Sequence, residues 1–241
     1  MSDGIYVALS GAIAQTTNLD TTANNLANAS TDGYQRERPV FHEMLAKAAG
    51  EGHHYAGVSA TALDSTAGAI RTTDRPLDVA LPKGAYLSVQ TTNGERYTRA
   101  GAMTVSLDGF LTTRHGDKLI GEDNKPIKIP TGGTGEITAT KTGAIQQGTQ
   151  QLGQLKIVSF DRPECLTHEG GTVLAGNVDT GAAKPTNATL EVGAVEESNA
   201  SVVASMNDLV DASRTFEAFQ RAIDAFRDAD KKIVSTTPNP E

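Results

Sequence analysis

Tryptophan is absent from the 241 residues, and cysteine occurs once, at Cys165. A single thiol excludes an intrachain disulfide framework and a thiolate zinc site. It leaves the compartment open, because a chain with no pair to oxidise can live in an oxidising place without staples. Aromatic residues make up 5% of the chain and hydrophobic residues 38%, both low for one thick core. The length suits one large domain or two small ones. No run approaches the roughly 20 apolar residues that cross a bilayer. No lysine or arginine precedes Arg36, so the charged n-region of a cleavable secretory signal is missing. The expectation is a protein that stays in the cytoplasm or leaves by a route that uses no such signal. Positive charge is in deficit, 21 Lys and Arg against 29 Asp and Glu, a net charge of −8. That balance gives no electrostatic footprint for nucleic acid or anionic lipid.

Glycine and proline are also missing from particular places. Of 24 glycines, only Gly4, Gly11 and Gly33 precede Gly50, and none follows Gly193. No proline precedes Pro39, and none lies between Pro185 and Pro238. Both residues break helix interiors, so both ends are free to be long helices and the middle reads as turn-rich. From Ile5 to Ala29 a 3-4 stripe runs through Ile5, Ala8, Ala12, Gln15, Leu19, Thr22 and Leu26. Asp3 suits the N-cap, and Gly33 stands where a left-handed C-terminal cap is expected. From about Asn199 to Ile233 a second stripe carries Val202, Met206, Leu209, Ser213, Phe216, Gln220 and Ile223, with Ser198 or Asn199 as N-cap. Thr236–Glu241, with two prolines, reads as frayed.

The middle reads as β. Asn93-Gly94, Asp108-Gly109 and Thr142-Gly143 stand between short alternating runs, the signature of tight hairpins. Further strands are expected at 77–81, 126–130 and 154–160. The fold class is therefore α+β: a discontinuous, coiled-coil-like helical domain from both chain ends, plus a mainly antiparallel all-β middle domain. The expected boundaries are 1–34 for the first helix, 35–74 for a polar, partly extended linker, 75–194 for the β-domain and 195–241 for the second helix. A lone helix with this modest stripe cannot offset its own ordering entropy. The two ends must pair and then pack, either on their own β-domain or on other subunits. Ala8, Ala12 and Gly11 permit close approach, and Asn24, Asn25 and Asn28 put amides near the end of the first helix, where buried amides can fix register.

Catalytic chemistry finds little footing. His42-Glu43 and His53-His54 lack the His-Glu-x-x-His spacing and lie in a polar stretch. Cys165 has Glu164 and Leu166 as neighbours, which supply neither a base nor positive potential. Gly132-Gly133-x-Gly135 leads into neither a helix nor Lys-Ser/Thr, so it is no phosphate loop. No cofactor, metal or catalytic residue is expected. A secreted hydrolase on a β-scaffold would need a convergent cluster of titratable groups that the spacing does not provide.

Several runs are specific. Ala23-Asn24-Asn25-Leu26-Ala27-Asn28-Ala29-Ser30-Thr31-Asp32-Gly33-Tyr34 resembles the N-terminal signature of the flagellar rod, hook and hook–filament-junction axial proteins. Glu196, Ser198-Asn199, Val202, Met206 and Leu209 resemble the C-terminal motif of that family. Arg75-Pro76-Leu77-Asp78-Val79-Ala80-Leu81, Tyr97-Thr98-Arg99-Ala100-Gly101 and Asp108-Gly109-Phe110-Leu111 look like its rod members. The resemblance implies a structural rod subunit that passes unfolded through the flagellar type III export apparatus. It implies stacking with copies of itself and other rod proteins into a hollow helical shaft in the periplasm, with terminal helices inside, no bound nucleic acid and no membrane insertion. The assembly interface it implies comprises Ile5, Ala8, Ala12, Leu19, Asn24, Asn25, Leu26, Asn28, Val202, Met206, Leu209, Phe216 and Ile223.

Overall fold

The computed structural model describes residues 3–48, 51–130 and 135–236. Two long helices bracket the chain, α1 (Asp3–Ala27) and α2 (Val202–Thr236). Between them lie β1 (Glu37–Ala48), β2 (Glu51–Leu63), β3 (Ile70–Thr72), β4 (Val79–Ala80), β5 (Ala85–Thr91) and β6 (Gly94–Thr98). Next come β7 (Met103–Val105), β8 (Leu111–Thr113), β9 (Lys118–Leu119), β10 (Ile137–Ala139), β11 (Ala144–Gln147) and β12 (Gln150–Gln154). The last six are β13 (Ile157–Ser159), β14 (Thr167–Gly170), β15 (Val173–Ala175), β16 (Lys184–Pro185), β17 (Glu191–Val192) and β18 (Ala194–Glu196). The class is α+β, with antiparallel strands between two terminal helices.

The chain divides into two units. The first contains α1, α2 and the segment Glu37–Thr61, which carries the β1–β2 pair. The stretch 35–74, expected as a polar, partly extended linker, holds the two longest of the described strands. Its Ala, Gly and Thr content carries no clear two-residue alternation, so the strands were not visible in the pattern. His42, Glu43, His53 and His54 fall on this pair.

The helices run antiparallel. Added Cβ atoms at Gly4 and Gly11 would lie 2.8 and 2.5 Å from the rings of Phe226 and Phe219. Seven residues separate the contacts on each helix. The Gln15 amide donates to the Ala212 carbonyl at 3.2 Å, one turn further along α1 and two turns back along α2. Gly11 therefore makes room for an aromatic ring that any larger residue would push away. Threonine, a modest helix former, satisfies its own hydroxyl here. Thr16, Thr17 and Thr21 donate to the carbonyls of Ala12, Ile13 and Thr17, four residues back.

The second unit, Asn28–Arg36 with Ala62–Ser201, carries the apolar core. A nine-stranded sheet has the order β14-β15-β6-β5-β9-β8-β7, with β13 joining β5 to β16. Strands β10, β11 and β12 form a second sheet, and β17–β4 and β18–β3 are separate pairs. Leu87, Val89, Met103, Leu111, Leu119, Ile145 and Leu155 fill the main core. Two expected hairpins close on glycines of positive φ, Gly109 (76°) and Gly143 (83°), where a side chain would be strained. Residues 126–130 do not form a strand; Pro126 and Lys128 make single bridges to Ile120 and Phe110. The run 154–160 is broken, with β12 ending at Gln154 and β13 starting at Ile157. Residues 131–134 and 237–241, which include Gly132, Gly133 and most of the expected frayed tail, lie outside the described residues.

Candidate assembly site

α1 buries one stripe and exposes another. Ala8 and Ala12 are buried, and Ile5, Leu19 and Leu26 are half-buried. On α2, Leu209, Phe216 and Ile223 are half-buried, and Ser205 and Ala212 are buried. The small residues lie inside and much of the large apolar surface lies outside. Tyr6, Leu9 and Ile13 form an outward i, i+3, i+7 stripe, with Ile13 60% exposed. Val203, Met206 and Val210 repeat that spacing on α2, with Met206 54% exposed and Val202 beside it. The sequence stripe found the first face. Of the exposed residues, the sequence stripes included Val202 and Met206 and passed over Tyr6, Leu9, Ile13, Val203 and Val210, which lie beside them in the helical repeat.

Of the asparagines, Asn25 is buried and Asn24 exposed. The Asn25 amide donates to the Glu37 carbonyl at 2.8 Å, and its Oδ1 accepts from the Glu37 N–H at 2.9 Å. This two-way bond ties the start of β1 to the last turn of α1. Asn28 has left the helix; its Oδ1 accepts from Thr31 Oγ1 at 3.4 Å, and its carbonyl accepts from the Thr31 N–H at 3.0 Å.

Within the second unit, the residues that follow α1 and those that precede α2 are anchored together. Arg99 is 2% exposed, and all five of its N–H groups are taken. Nε donates to Glu196 Oε2 at 2.9 Å, and Nη2 reaches the same oxygen and the Leu81 carbonyl. Nη1 donates to the carbonyls of Pro82 and Ala85 at 3.3 and 2.8 Å. Glu196 Oε1 accepts from the Gly68 N–H at 2.9 Å, and the Glu196 carbonyl from the Gly33 N–H at 2.7 Å. Gly33 has φ +75°, and an added Cβ would sit 2.4 Å from the Ala100 nitrogen. It is needed for backbone contact inside the β unit, not as the helix cap, since α1 ends six residues earlier.

Asn199 works in the same place. Its Oδ1 accepts from the Arg36 N–H at 2.7 Å, and its amide donates to the carbonyls of Asp64 and Thr66, both at 2.9 Å. That side chain is therefore unavailable as the N-cap of α2, which begins at Val202, and Ser198 Oγ serves the Ala200 N–H instead. Asp32 holds Arg71 at 2.9 Å and Arg114 at 3.6 Å. Tyr34 stacks on His168, with ring centroids 4.9 Å apart. Burial alone would raise the Asp64 carboxyl. Hydrogen bonds from Arg36 and Thr66, together with the Arg36 charge, outweigh it and hold the group below its ordinary value.

Antiparallel terminal helices with open apolar stripes, joined in sequence to a β unit that spends a buried ion pair on holding distant segments together, define a structural subunit. Comparison with known proteins agrees. Residues 5–35 match the family model described as flagella basal body rod protein, 83–147 the flagellar hook protein FlgE/F/G D1 domain, and 191–236 the flagellar basal body rod FlgEFG protein C-terminal. The chain is 35% identical to the flagellar basal-body rod protein FlgF of Escherichia coli (strain K12) over 246 residues, covering 95% of each. It is 33% identical to FlgF of Salmonella typhimurium (strain LT2) over 92% of this chain and 93% of that one. Against the rod protein FlgG of Bacillus subtilis (strain 168) it is 28% identical, over 92% and 94%. The chain belongs to the flagellar basal-body rod protein family and is of the FlgF type. It is a structural component of the bacterial flagellar basal body and not an enzyme.

Proposed function

We propose that the chain builds the rod by packing the open face of its helix pair against copies of itself and against other rod proteins. The observations that carry this reading are two outward stripes, Tyr6, Leu9 and Ile13 on α1 and Val203, Met206 and Val210 on α2. A stripe of large apolar groups at helical spacing is stabilised by a partner's stripe, and solvation does not provide one. Of the residues expected at the interface, Val202 and Met206 are on this face. Ile5, Ala8, Ala12, Leu19, Leu26, Leu209, Phe216 and Ile223 hold the pair that presents it, Asn25 and Asn28 set how α1 ends, and Asn24 stands exposed on its last turn. Head-to-tail contact of one face with a different one need not close into a ring, which is how a shaft grows. The subunit reaches the periplasm through the flagellar type III export apparatus without a cleaved signal.

The test is the double variant Ile13→Asp, Met206→Asp. Both side chains are solvent-facing, so helix content is unchanged and the unfolding free energy from urea titration of the isolated chain stays within about 0.5 kcal/mol of the parent for each substitution. Incorporation into basal bodies and swimming are lost. Normal incorporation of a folded, exported double variant rejects the interface.

A further inference from the structure

We infer that residues 190–199 are a closing strap: the β unit completes its fold only when this segment is delivered, so the chain cannot compact early while it is being made or moved. The inference rests on contacts within the β unit and is independent of the assembly interface. Strand β3 finds its pairing partner in β18, and β4 in β17; both partners come from the strap. The N–H groups of Thr73 and Asp74 donate to the Gly193 carbonyl at 2.7 and 3.0 Å, and the Gly193 N–H donates to Asp78 at 2.8 Å. Leu190 enters the main core, and Val195 is fully buried.

Fraying of a last strand is ordinary when that strand brings only backbone bonds. Here it also brings a counter-ion. Arg99 cannot shed its charge, and the carboxylate it meets in its buried site belongs to the strap. With residues 81–99 folded and the strap absent, the guanidinium would keep its backbone carbonyl partners and lose its carboxylate, while the Gly193 bonds and the burial of Leu190 and Val195 would be missing as well. Leaving one member of a buried ion pair alone is strongly unfavourable. The partly closed unit is thereby penalised, and only the open chain and the completed fold are populated. Glu196 lies 97 positions after Arg99, so the native counter-ion arrives long after the residues that surround the guanidinium.

Native-state hydrogen exchange on the dilute full chain, read by mass spectrometry at rising urea, tests this. Peptides covering 190–197 are expected to lose protection in the same opening step as those covering 85–89 and 111–113. In Glu196→Gln both sets accelerate together, by on the order of 100-fold or more. Strap peptides that exchange through an earlier opening while 85–89 stays protected overturn the inference. So does a Glu196→Gln variant that loosens the strap alone. If that variant does not fold, the urea dependence of the parent chain decides, because a strap that opens by itself shows there directly.

Discussion

Asp64 shows how much of this fold rests on single polar contacts. It is 4% exposed, yet it stays a carboxylate because Arg36 donates to it at 2.8 Å and Thr66 satisfies the other oxygen. Its pKa is lowered in the folded chain, so the native state binds this proton more weakly than the unfolded chain does. The stabilisation is therefore complete above the unfolded value, near 4, and is lost as pH falls through the folded value. Asp64→Asn should be less stable than the parent at pH 7, and its urea midpoint should fall less steeply between pH 5 and pH 3. An equally steep fall in both proteins would show that Asp64 is not a source of the acid sensitivity. At this scale the sequence was half legible. Arg99, Glu196 and Asn199 stood out as motif residues, but their pairing did not, because charge complementarity over about a hundred positions leaves no local pattern. Asn199 also looked like a helix cap, since its type and place fit, and long-range backbone groups took the side chain instead.

Elements were legible where their causes are local. Asn93-Gly94 turns β5 into β6, and Asp108-Gly109 turns β7 into β8, because positive φ is encoded by the residues in the turn itself. The two helices followed from periodicity and from the absence of glycine and proline, with ends displaced by two or three residues. β1 and β2 were hidden because they lack alternation. The antiparallel helix pairing had one readable trace, the small residues of α1, whose meaning appears only with Phe219 in place. Gly11→Leu should force that ring out and separate α1 from α2. The expected cost is about 1–3 kcal/mol, the usual range for overpacking, plus a loss of helical circular dichroism. Gly11→Ala, whose added methyl meets the same ring at 2.5 Å, should cost less, and adding Phe219→Leu to it should recover most of that loss because the smaller partner vacates the space. Failure of the double variant to recover would mean that Gly11 matters for some reason other than this ring.

The two units differ in what stabilises them, and that difference sets how the free chain behaves. The β unit encloses a core of fully buried aliphatic residues and a satisfied ion pair, so it carries its own stability. The helical unit fully buries mainly alanine and small polar residues, keeps Leu19, Leu26, Leu209 and Phe216 only half-buried, and leaves Ile13, Val203 and Met206 in water. Burying small residues releases little apolar area, while ordering the backbone of two long helices costs the usual entropy per residue. A helix pair of this kind gains most of its stability when its open face is covered. In dilute solution, amides of 5–27 and 203–229 should therefore exchange by openings that leave 85–89 and 111–113 protected. The helical unit should melt first in urea. In assembled rods the same helical amides should become as slow as the sheet, since dissociation must now precede opening. Equal protection of both units in a proven monomer would place the stability of the helices within the chain itself, and the outward stripes would then need an explanation other than contact between subunits.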